Sequence, residues 1–180
     1  GPSIGIDDKS TYAADVFSYI VQQPNSRLQR IMIDSKLAVV ANLHYYTQRN
    51  VGPIRITMVT SPDKAKLALK TLYGEIAQFT DPKYFTDEEL ENAKTLLEAE
   101  DLYRREKLSD YSHTLSFWWS STGVEYYRGY HANLRAITRE DINRYIKAYV
   151  QNKPHIGVAL ISAELQKEAK LTPGDLIGEQ

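Results

Sequence analysis

Four histidines, His44, His113, His131 and His155, are the first residues to test for chemistry. None has a second histidine or an acid at the spacing of a helical zinc site, so neither H-x-x-E-H nor H-E-x-x-H is present. His44 and His155 fall in stretches that read as strands, which suits structural histidines. Carboxylates come next. Glu98, Glu100 and Asp101 cluster in one helical stretch, and a carboxylate pair can move protons. Arg104 and Arg105 follow at helical-neighbour spacing, so ion pairing along the helix explains the cluster more simply. No G-x-S-x-G elbow arms a serine. The Gly1-Pro2-Ser3-Ile4-Gly5 stretch lacks the Gly-Lys-Ser/Thr ending of a phosphate loop. There is no cysteine, which excludes disulfides, zinc fingers, iron–sulfur clusters and thiol nucleophiles.

Two aromatic groups remain. His44, Tyr45 and Tyr46 lie on a predicted strand, whose edge could receive an extended peptide. Phe117, Trp118 and Trp119 form the most concentrated apolar patch. That patch suits helix–helix core, or a hydrophobic wall against a partner domain or peptide. The chain has thirteen Tyr against four Phe. A tyrosine packs its ring while its hydroxyl stays wet or bonded, which fits a groove or interface. An ordinary tyrosine-rich surface explains the count equally well.

The elements that must carry these residues read as follows. Gly1–Ile6 looks like the end of a strand already under way, as expected either of a sequence that begins inside a longer protein or of a non-native Gly1-Pro2. Ser10 or Thr11 caps a helix with Tyr12, Ala13, Val16, Phe17 and Ile20 at helical spacing. Pro24-Asn25 breaks it, and a short helix over 26–35 follows. Stretches 37–47 and 53–60 read as an antiparallel hairpin, the second alternating Ile54, Ile56 and Met58 with polar residues. Ser61-Pro62 opens a helix that ends near Thr80-Asp81-Pro82. Thr86-Asp87-Glu88-Glu89 is a capping box, opening a long charged helix to about Leu108. A helical region with Phe117–Trp119 follows, punctuated by Gly123. Thr138-Arg139-Glu140-Asp141 caps another helix. Residues 154–161 read as a final buried strand.

This order, β-α-α-β-β-α-α-α-α-β, predicts an α+β fold: a mainly antiparallel sheet with helices packed on one face. The 180 residues fit one domain. Residues 1–165 are read as the folded unit and 166–180 as a polar tail. Lys and Arg nearly balance Asp and Glu, giving a net charge of −1, so no broad basic field for nucleic acid or anionic lipid is visible. No apolar run approaches the ~18 residues needed to span a bilayer, and no signal peptide is recognisable.

Three pieces in register resemble one repeat of the insulinase/pitrilysin-type zinc metallopeptidases, which include processing peptidases. The first is Gly1-Pro2-Ser3, Asp8, a helix with Tyr12-Ala13-Ala14-Asp15-Val16, then Ser26-Arg27-Leu28. The second is Thr86-Asp87-Glu88-Glu89-Leu90-Glu91-Asn92-Ala93-Lys94, near the family's T-x-E-E-L-x-x-A-K. The third is Ile137-Thr138-Arg139-Glu140-Asp141-Ile142, near its V-T-x-E-D-I. Together they span roughly Gly1 to Ile161. The resemblance implies an insulinase-type repeat fold in which two homologous repeats close a chamber around a peptide. The N-terminal repeat holds zinc through H-x-x-E-H and a distant Glu. The C-terminal repeat, which this chain resembles, offers an Arg and, seven residues later, a Tyr that stabilise the oxyanion.

Here the sequence departs from the family. Counted from Ser26-Arg27-Leu28, the Arg position holds Ile33 and the Tyr position holds Val40. Neither side chain donates a hydrogen bond. The expectation is a non-catalytic C-terminal repeat with no cofactor or metal of its own. Zinc would belong to a separate repeat or partner subunit, and the chain alone would be inactive. Two other expectations stand beside it: a structural or regulatory scaffold subunit, or a peptide-binding module. Many bacterial relatives are exported, so the resemblance favours a periplasmic location.

Overall fold

The computed structural model describes residues 1–178. Its centre is helix α1, Asp8–Gln22, in which ten residues are buried, from Ser10 to Val21. Asp7 caps it by accepting a hydrogen bond from the Ser10 amide at 3.2 Å. A helix this buried must be covered on nearly every side. It packs on strand β1 (Val40–Tyr45) and on helices α4 (Asp87–Glu106), α6 (Val124–Arg135) and α7 (Arg139–Tyr149). Phe17 sits at the middle of this core, with its ring 5.0 Å from Phe79 and 6.4 Å from Tyr145.

Helix α2 (Arg27–Gln29) runs on without a break into a π-helical turn, Arg30–Asp34. Ser26 holds its start, bonding the Val21 carbonyl at 2.9 Å. The predicted hairpin forms: β1 pairs antiparallel with β2 (Ile54–Val59), with Val40 opposite Val59 and Tyr45 opposite Ile54. Pro62–Lys64 makes a 3-10 turn that feeds α3, Ala65–Gln78. The expected capping box of Thr86 with Glu89 is present, and the expected cap at Thr138 is also a full box, with Asp141. Gly123 separates α5 (Leu108–Ser121) from α6 at φ +99°, a conformation closed to most side chains. Two short helices, α8 (Ala163–Ala169) and α9 (Pro173–Ile177), end the described chain.

The fold is thus α+β, but helix-rich, and its sheet has two strands among the described residues rather than four. Both missing strands have a physical reason. At the start, the Ile4 and Gly5 amides donate to the Gln48 and Arg49 carbonyls, adjacent residues to adjacent residues, which is not the alternating pattern of a ladder. The chain then turns, with the Ile6 and Asp7 amides both bonded to the Ser3 carbonyl, and Pro2 has no N–H to add to a ladder. At the end, residues 154–161 carry the right alternation, but no strand pairs with them among the described residues. Ile156, Val158 and Leu160 are 90%, 84% and 103% exposed, where a buried strand was expected. Gly157 lets the α9 backbone approach closely, since a Cβ there would meet the Leu176 carbonyl oxygen.

Candidate functional site

A cavity of about 630 Å³ opens where α1, β1, α4, α5 and α6 converge. Its size is that of a ligand pocket. His44, Tyr45 and Tyr46 line it from β1 and the residue beyond, and Phe117 and Trp118 from α5. The two aromatic groups singled out in the sequence therefore meet. The rings of Tyr46 and Phe117 are 5.3 Å apart. Phe117 in turn stands edge-on to Trp118 at 5.3 Å, and Trp118 stacks on Tyr126 at 5.2 Å. Tyr12 continues the stack, 5.0 Å from Tyr126. Trp119 does not join: it is 73% exposed and points away from this set.

Ile33 and Val40 lie elsewhere. Ile33, in the π-helical turn, packs against the core. Val40 opens β1 at the end far from Tyr45, roughly 17 Å away at strand rise. Neither lines the cavity.

The cavity's polar groups were not singled out in the sequence as a set. On α1 they are Asp15, Ser18 and Gln22, spaced three and four residues apart, with Thr11 one turn earlier on the same stripe. That polar stripe inside a core helix was the legible signal. Thr11 bonds the Tyr126 hydroxyl at 2.7 Å. The Tyr130 hydroxyl donates to Asp15 Oδ2 at 2.6 Å. Gln22 Nε2 donates to the Leu43 carbonyl at 3.1 Å, tying α1 to β1.

Asp15 is packed round by protein and keeps only partial exposure while lining the cavity. Burial pushes its carboxyl up to about 7, against hydrogen bonds from Tyr130 and Thr47 that favour the ionised form. No ion pair involves Asp15 among the described residues. Burial likewise holds the Tyr45, Tyr126 and Tyr130 hydroxyls above the usual phenol range, with Asp15 adding to it, so they stay protonated donors.

On the α4 side the arrangement is different. Arg104 bonds Glu100, as the spacing implied, and Tyr19 also donates to Glu100. Asp101 is 9% exposed and gathers three partners: Arg105 at 2.5 Å, Tyr127 at 3.0 Å and His131 at 2.8 Å. The ion pair along the helix exists, but its acid is a buried hub rather than a surface group. Glu98 turns away to Arg135.

No group of three His, Asp or Glu side chains among the described residues could hold a metal ion. No described helix is long and apolar enough to cross a membrane.

The cavity is aromatic and polar, and it lies apart from Ile33 and Val40. Comparison with known proteins gives the fold a family. Residues 1–97 match the family model described as the peptidase M16 inactive domain, and the chain belongs to that family. The insulinase/pitrilysin resemblance is thereby borne out as an M16-type C-terminal domain. No curated protein matches the sequence. Among solved structures, the fold is similar to a protease from Helicobacter pylori, with a TM-score of 0.69 at 18% identity. The match covers 84% of this chain and 37% of that one, so the chain spans little more than a third of its neighbour's length.

Proposed function

We propose that this chain is the non-catalytic C-terminal half of a peptide-enclosing chamber. A homologous repeat or subunit bearing H-x-x-E-H would supply zinc, general base and bond cleavage. Residues 1–165 would form the repeat and 166–180 its tail. The cavity walled by His44, Tyr45, Tyr46, Phe117 and Trp118 would be the face that contacts peptide.

The observation that carries this reading is the pairing of gain and loss. The positions for oxyanion donors hold Ile33 and Val40, while a cavity of about 630 Å³ brings together aromatic rings and hydrogen-bonding groups. Rings offer sequence-tolerant contact area, and hydroxyls and carboxylates orient what enters.

Titration of unstructured peptides into the Trp119→Phe variant tests it, because Trp118 is then the sole indole reporter. Saturable quenching, no cleavage and no tightly held zinc are expected of the chain alone. Chelator-sensitive peptidase activity with stoichiometric zinc would overturn the non-catalytic reading. A flat fluorescence response at millimolar peptide would overturn peptide contact and favour a scaffold subunit. The apolar Ile33 and Val40 also suit that second reading.

A further inference from the structure

We infer that the cavity selects a basic side chain, Arg or Lys, of the bound peptide, with the Asp15 carboxylate as its counter-charge. This rests on the peptide-contact reading and adds the class of residue recognised.

The inference stands on where charges are already answered and where they are not. Three carboxylates line the cavity: Asp15, Glu100 and Asp101. Glu100 is paired with Arg104 on the same helix. Asp101 is paired with Arg105 and bonded by Tyr127 and His131. Asp15 alone has only neutral donors, the hydroxyls of Tyr130 and Thr47. A carboxylate surrounded by protein with no cation beside it is a costly arrangement. A guanidinium or ammonium arriving from the cavity supplies the missing partner.

The groups around Asp15 agree with that ligand. Tyr12 on α1, Tyr45 on β1, Tyr126 and Tyr130 on α6 and Tyr145 on α7 all lie near enough to feel its charge, and none is cationic. The remaining titratable groups of the lining are His44, His113, Tyr19, Tyr46 and Tyr127, with Arg104 as the one strong cation and already paired. The rings of Tyr130 and Trp118, 5.4 Å apart, line the cavity beside the site and keep its wall aromatic and uncharged. An acidic or apolar residue would leave the Asp15 charge unanswered or repelled. Below neutral pH Asp15 takes up a proton, so the preference should be strongest above pH 7.

The test uses the full chain as the Trp119→Phe variant, with two peptides identical except for one central residue, arginine or its uncharged isostere citrulline, at pH 8. The arginine peptide is expected to bind about tenfold or more tightly than the citrulline peptide. Asp15→Asn should shrink that ratio to about twofold, with circular dichroism confirming the fold. Lowering the pH to 5.5 should shrink the ratio in the parent chain as well. Equal binding of both peptides at pH 8 would overturn the selection and leave peptide contact standing. A ratio that survives Asp15→Asn would overturn the assignment to Asp15. Absence of binding by either peptide would overturn peptide contact itself, and this inference with it.

Discussion

The α1 wall and the α4 wall of the cavity each carry a buried aspartate bonded by a tyrosine of α6, yet they are built to opposite ends. Asp101 on α4 has Arg105, His131 and Tyr127 around it. Asp15 on α1 has Tyr130 and Thr47 and no cation. The first arrangement offsets the cost of desolvating a charge and fixes α4 against α6. The second leaves that cost standing. A compensated carboxylate holds structure together, whereas the uncompensated one facing the cavity is the group we propose as a ligand's counter-charge.

Substitutions break the comparison in order of size. Asp15→Asn should raise stability at pH 8, by up to ~4 kcal/mol if the whole shift is realised and less with solvent reaching the carboxyl. The sign follows from the raised folded-state value. Between the ordinary carboxylate value and about 7 the folded chain holds a proton that the unfolded chain has released, so stability falls as pH rises through that window. Below it the two forms differ little, and above pH 7 the loss is complete. Urea unfolding of both proteins from pH 4 to 8 measures this. Asp101→Ala should do the reverse, lowering stability by ~2 kcal/mol at neutral pH because Tyr127 and His131 lose their acceptor. Arg105 is half exposed and can turn to water, which limits the damage.

Smaller changes sharpen the same contrast. Tyr130→Phe removes a donor from the ionised Asp15 and should cost ~1.5 kcal/mol at pH 8. The cost should be smaller at pH 5, where Asp15 is neutral, so thermal melts at the two pH values separate charge assistance from packing. Arg104→Gln should change stability by less than ~0.5 kcal/mol, because both partners of its pair with Glu100 are exposed.

Much of this architecture was legible in the sequence, for local reasons. Thr86 with Glu89 and Thr138 with Asp141 mark helix starts within four residues, and the hairpin's alternation sets its own register. The 154–161 stretch shows the limit. Its alternation of Ile156, Val158 and Leu160 matches that of β2, but alternation records a preference for extended backbone and says nothing of a partner. The candidate site was half legible. Tyr45, Tyr46, Phe117 and Trp118 stood out by type, although Trp119 shared the signal and proved to be surface. The distinction between Asp15 and Asp101 was not legible, because it depends on which helix faces each acid. Arg105 reaches Asp101 through helical spacing, but Tyr130 reaches Asp15 across 115 residues of sequence.

The most direct test is the titration of the Asp15 carboxyl carbon by NMR, with and without an arginine-containing peptide. A midpoint near 7 in the free chain, moving well down when the peptide is bound, is the expected result. A midpoint in the ordinary carboxylate range for the free chain would contradict the uncompensated charge, and a midpoint unmoved by saturating peptide would contradict its role as the counter-charge.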